Sequence, residues 1–174
     1  MSTPELVSPR ALALAAELDS SFGRPRELTR PAMTELLAIR VGDEPYALRL
    51  AEIQALLADR PIARLPTPVR ELLGLCAIRG TIVPVYDLAQ LLGRTVQREH
   101  APRWLVLAQR SELIALAFDA LDAQVLVPND TIASPAGDTD QDSTVLIQGA
   151  LRPLLRVAAV LDAIDQRVRP LQEP

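Results

Sequence analysis

The sequence predicts a mainly β fold of small closed barrels, carrying short helices and preceded by one further helix. Three observations carry that prediction. From Thr34 onward the chain breaks into short, apolar, β-rich runs at turn-spaced intervals. No long helical pattern alternates with those runs, as a parallel sheet would require. Apolar residues make up 49% of the 174, enough to bury a core and too many for a disordered chain.

The elements follow in order. Ser8 at an N-cap, Pro9 in the first helical position and Gly23 at the stop mark a helix over 8–23. Its Ala11, Leu14, Ala15, Leu18 and Phe22 form one apolar stripe, suited to packing on its own domain or to docking on another protein. Gly23 to Pro31 has two prolines and four charges and reads as a linker. Thr34 to Val41 is a strand, Gly42-Asp43 a hairpin turn and Pro45 to Leu50 the return strand. The spacing in Ala51 to Ala58 predicts a short helix with Ile53, Leu56 and Leu57 facing inward. Pro61, Pro66 and Pro68 break the chain into extended pieces. Gly74 to Ile78 and Thr81 to Tyr86 are strands joined by Arg79-Gly80, followed by a helical turn over Leu88 to Leu92 that Gly93 closes. A second set of similar size follows: strands over 104–109, 113–118, 123–127, 144–151 and 154–157, a polar loop over 134–143, and a closing helix over 158–165.

Composition excludes much chemistry. Acids number 22 and bases 18, giving a net charge of −4, and every base is Arg. The absence of Lys removes Schiff-base chemistry and the phosphate-loop Lys. One His and one Cys cannot assemble a zinc site of Cys and His ligands or an intrachain disulfide. An acidic chain without Lys is poorly suited to phosphate backbones, and its five aromatics leave little for base stacking. The first 23 residues carry Glu5, Arg10, Glu17 and Asp19 and so lack a signal peptide's apolar run. The longest charge-free stretch, Ser143 to Leu151, falls far below the roughly 20 residues that span a bilayer. A cytoplasmic protein without membrane insertion is expected.

No segment completes a catalytic set. Asp138, Asp140 and Asp142 open like a calcium loop, but Ser143 and Gly149 stand where its Gly and bidentate Glu belong. Cys76 lies inside an apolar run with no activating cation beside it, and His100 lacks an adjacent nucleophile. No Ser sits in a Gly-x-Ser-x-Gly elbow and no glycine run cradles phosphate. Catalytic, metal-binding and cofactor-binding residues are therefore expected to be absent; a small hydrolase using His100 or a carboxylate pair is the remote alternative. The segment that stands out is Glu71 to Gly93. It sets an Arg in a tight turn between two apolar strands, at the rim of a β-structure, where it suits a salt bridge or a partner contact.

Gly74-Leu75-Cys76-Ala77-Ile78-Arg79-Gly80-Thr81-Ile82-Val83-Pro84-Val85-Tyr86-Asp87-Leu88 resembles the CheW family signature G-x-x-N-x-R-G-x-ϕ-ϕ-P-ϕ-x-D-L, with ϕ apolar. Tyr46 to Ile53 is similar to the family's upstream strand and helix start, and Phe118 to Leu121 with Val125-Leu126 to its second-half pattern. The resemblance covers Thr34 to Ile164. It implies two SH3-like five-stranded β-barrels over 34–174, with 1–33 as an N-terminal helical extension and linker. It also implies a non-enzymatic adaptor joining the cytoplasmic tips of methyl-accepting chemoreceptors to the regulatory domain of a CheA-type histidine kinase, recruited to membrane-associated arrays. Carried over residue by residue, Arg79 and Gly80 form the functional turn with Ile78 beside it. Glu52 matches the acid that pairs with Arg79, and Leu50 and Leu105 line an apolar receptor groove. Ala77 departs from the usual Asn. A specialised paralogue that binds one partner and limits or localises the array is the alternative reading.

Overall fold

The strands of the computed structural model, which describes residues 31–97, 102–134 and 143–168, form two sheets. The expected helix over 8–23, the linker, His100 and most of the acidic loop lie outside the described residues. β1 (Met33–Val41), β2 (Glu44–Arg49), β8 (Ala120–Pro128), β9 (Ile132–Ala133), β10 (Thr144–Ile147) and β11 (Ala150–Leu155) make the first sheet, in the order β8-β1-β2-β11-β10-β9. β3 (Ala55–Ala58), β4 (Leu72–Ile78), β5 (Thr81–Asp87), β6 (Trp104–Gln109) and β7 (Leu113–Phe118) make the second, in the order β3-β6-β7-β5-β4. Helices are confined to α1 (Leu88–Leu91), α2 (Val157–Val168) and 3-10 turns at Leu50–Glu52 and Asn129–Thr131.

The expected mainly β class with two SH3-like units holds, and several details differ. The first sheet has six strands, because the two-residue β9 adds to five. The two units are not successive halves of the chain. β3 leaves the first sheet's neighbourhood to pair with β6, and β8 through β11 return to β1 and β2. The predicted helix over 51–58 is a 3-10 turn followed by β3. Its apolar spacing fits either structure, and pairing with β6 from Ala55↔Leu107 to Ala58↔Trp104 decides it. Leu56 and Leu57 accordingly face two different cores instead of one.

Three buried clusters explain the sequence texture. One lies on the far face of the first sheet (Leu36, Ala38, Ala47, Val145, Leu154) and one on the far face of the second (Cys76, Val83, Val85, Leu105, Ala117). The third and largest is shared between the sheets and α2, through Leu37, Leu48, Val106, Leu116, Phe118 and Leu161. Both faces of β1, β6 and β7 are thus covered. That is why β1, β6 and β7 read as continuous apolar runs instead of alternating ones.

The two units share a local plan. Ile78-Arg79-Gly80-Thr81-Ile82-Val83-Pro84 and Ile147-Gln148-Gly149-Ala150-Leu151-Arg152-Pro153 share Ile, Gly and Pro at the same spacing. Each forms a hairpin with positive φ at both turn residues (Arg79 50°, Gly80 82°; Gln148 51°, Gly149 78°), as a type I′ turn requires. Each returning strand then pairs in parallel, β5 with β7 and β11 with β2, and runs into a helix. The Gln148-Gly149 turn also corrects the strand predicted over 144–151, which ends at Ile147.

In this repeat the inward position of Val83 is taken by Arg152, which is 4% exposed. Between Ala38 and Ile39 the β1–β8 register shifts, so that Asp122 becomes the extra residue of a bulge. The bulge gathers acceptors around the guanidinium: Asp122 Oδ2 at 2.8 Å and the Ile39 carbonyl at 3.0 Å, while Arg40 Nε holds the other Asp122 oxygen at 3.0 Å. Burial by itself pushes the Asp122 carboxyl up, but hydrogen bonds and charge from Arg152 and Arg40 outweigh it and hold it below its ordinary value of 3.8. A depressed folded-state pKa stabilises above the unfolded value and is lost as pH falls through the folded one. Acid titration of unfolding below about pH 4 should therefore show a steeper loss in the native chain than in Asp122→Asn.

Candidate protein-docking site

The strands β4 and β5 fix the site. Their paired residues alternate between faces: Cys76↔Val83 points into the second unit's core, while Leu75↔Pro84 and Ala77↔Ile82 point outward. Ile82 is 70% exposed. Pro84 is tolerated because Leu75, its partner, turns both backbone groups away toward Ala63 (N–H···O 2.8 and 2.9 Å). The 75/84 position is thus a non-hydrogen-bonded pair, and the missing N–H costs the β4–β5 ladder nothing. Asp87 ends β5 and caps α1 by accepting from the Ala89 N–H at 2.9 Å.

At the tip, Arg79 adopts a left-handed backbone that Asn, Asp or Gly usually fills, a conformation that costs of order 1 kcal/mol. Gly80 takes the second positive φ, and a Cβ there would meet no atom within 4 Å. Arg79 and Gly80 are exposed, and no described carboxylate pairs with the guanidinium.

The remaining expected site residues are placed differently. Ile78 is 7% exposed and faces the core with Cys76, Val83 and Val85. Leu105, 1% exposed, belongs to that same core and lines no surface groove. An apolar residue in the middle of a doubly covered sheet has no accessible face. Leu50 sits half-buried on the 3-10 turn and packs against the shared core. Glu52 does not pair with Arg79: its Oε1 lies 3.5 Å from Arg49 Nη1 and its Oε2 accepts from the Val157 N–H at 2.7 Å. An open apolar cleft does exist, of about 200 Å3, but it is lined by Leu91, Leu92, Leu155, Arg156, Ala159 and Ala163.

Leu146 and Leu151, directly paired on the equivalent hairpin β10–β11, are 65% and 63% exposed. Neither is among the site residues expected from the sequence. The Ile-x-Gly-x-ϕ-x-Pro repeat was the signal that could have found them. Cys76 is buried in the second unit's core, and among the described residues no three His, Cys, Asp or Glu side chains cluster as metal ligands. No described helix is long and apolar enough to cross a membrane.

Two SH3-like units present equivalent hairpins, each with exposed apolar residues behind a tight turn, and Arg79 stands at one of the two tips. A family model for the CheW-like domain matches residues 35–165, and the chain belongs to that family. It is 28% identical over 109 residues to a probable chemotaxis protein CheW of Rhizobium etli, covering 62% of this chain and 70% of that one. A chemotaxis protein CheW of Helicobacter pylori is 21% identical over 156 residues, covering 85% and 94%. Among solved structures, the scaffolding protein TtCheW of Thermoanaerobacter tengcongensis superposes with a TM-score of 0.62 at 16% identity, over 72% of this chain and 90% of that one.

Proposed function

We propose that the protein is a non-enzymatic adaptor of a bacterial chemosensory system. It joins the cytoplasmic tip of a methyl-accepting chemoreceptor to the regulatory domain of a CheA-type histidine kinase, in the cytoplasm, at membrane-associated arrays. The observation that carries this reading is the β4–β5 hairpin, which presents at its tip an exposed Arg79 in a strained backbone, without an ion-pair partner among the described residues, and an exposed Ile82 on its returning strand. An exposed cation next to an apolar side chain suits a carboxylate-bearing protein surface, and Arg at an interface centre often dominates binding. The second hairpin, with Leu146 and Leu151, supplies a separate surface of the kind that a two-partner adaptor requires. The chemistry differs between the two tips, Arg79 against Gln148, and this favours distinct partners.

The test is Arg79→Glu in the full chain, mixed with purified receptor and kinase fragments. The variant should melt within a few degrees of the parent, since Arg79 makes no intramolecular ion pair among the described residues. It should bind at least one partner about tenfold more weakly, equivalent to about 1.4 kcal/mol. Unchanged affinity for both partners would remove Arg79 from the interface. Binding of one partner only, by the parent chain, would instead identify a paralogue that limits or localises the array.

We further assign 34–174 as the domain and 1–33 as an appended segment. A chain starting at Pro31 should unfold in one cooperative transition near the parent's melting temperature. Loss of cooperativity in that truncation would make the N-terminal segment part of the domain.

A further inference from the structure

We propose that Glu52 is a positioning residue: its carboxylate clamps the start of α2 to the turn that crosses between the sheets, and it is not the ionic partner of Arg79. The turn carrying it, Leu50–Glu52, leads from β2 of the first sheet to β3 of the second. α2 leaves the first sheet at β11 and buries Val157, Val160, Leu161 and Ile164 in the shared core. On its outer side α2 is tied to the second unit's strands, with Asp162 paired to Arg110 after β6 and Arg167 to Glu71 ahead of β4 at 3.2 Å. The helix is thus a strap over both units, and Glu52 fastens its first turn.

The local chemistry calls for such a clamp. The first N–H groups of a helix lack intrahelical acceptors and carry partial positive charge. The residue before α2 is Arg156, a cation whose side chain offers no acceptor and whose charge is misplaced there. Glu52 supplies both missing items from 105 positions away, an anion and an oxygen 2.7 Å from the Val157 N–H. Arg49, one turn back at 3.5 Å, holds its second oxygen. With both oxygens occupied inside the molecule, Glu52 is engaged in the free protein, and Arg79 has no carboxylate partner among the described residues.

Amide hydrogen exchange on the full free chain tests the clamp without any partner, so its outcome is independent of the adaptor reading. Glu52→Ala should speed exchange of the amides of 157–160 at least tenfold. Glu52→Gln, which keeps an acceptor oxygen, should restore most of that protection. The charge swap Arg79→Glu/Glu52→Arg should exchange as fast at these amides as Glu52→Ala. Unchanged protection in Glu52→Ala, failure of Gln to rescue, or restored protection in the charge swap would each overturn the assignment. If Glu52→Ala does not fold, the Gln variant and the swap decide between the two roles.

Discussion

Arg152→Met should lower the stability of this chain by about 3–5 kcal/mol, the range found when one member of a buried charged network is removed. At about 2–4 °C per kcal/mol for a domain of this size, the melting temperature should fall by roughly 10 °C. Volume is nearly conserved, so cavity formation is not the cause. The loss arises because the Ile39 carbonyl is left in the core without its donor, and Asp122 keeps only Arg40 on its solvent side. The site is not ideal even in the native chain, since Arg152 Nε is buried without a hydrogen-bond partner. Much of the penalty therefore belongs to the groups left behind. Arg152→Met/Asp122→Ala should recover part of it, and a double variant as unstable as the sum of the two single ones would show that the network is not coupled.

Arg152 also marks the limit of what the residue pattern reveals. The apolar runs of β1, β6 and β7 are legible because those strands are covered on both sides, and the turn pairs Gly42-Asp43 and Arg79-Gly80 because each turn needs specific backbone conformers. The signature around Arg79 is legible for the same reason, since Gly80, Pro84 and Asp87 each answer a local demand. Pairing partners are not written locally. Ala51 to Ala58 fits a helix until β6 is present to capture Ala55–Ala58, and Leu105 fits a groove until both faces of β6 are seen to be covered. Glu52 meets Val157 only once the chain has crossed between sheets and returned. Nothing near Arg152 in sequence announces the bulge that brings in Asp122.

Gly74→Ala is expected to be the most damaging conservative change in the chain, at about 4–5 kcal/mol or more, a size that requires a named mechanism. Two mechanisms coincide there. The residue has φ of 149°, in the region that only glycine adopts readily. A Cβ would also press well inside contact distance of the Ala63 carbonyl oxygen and lie 2.8 Å from its carbon. The intruding atoms are backbone, so no side-chain rotamer can relieve the overlap. The segment through Ala63 cannot simply retreat, because its N–H and carbonyl are both bonded to Leu75, the residue after Gly74. Separating them would uncover the outer edge of β4, the strand that leads into the Arg79 tip. Gly80→Ala is the matched control: it also has positive φ but nothing within 4 Å, and should cost only about 1 kcal/mol. Against a total stability of about 5–15 kcal/mol, the first variant should lose most of its folded population on modest heating and the second should not. Thermal melts of the two, side by side, check this. Equal small losses would mean that the Ala63 crossing yields easily and does not hold the β4–β5 hairpin in place.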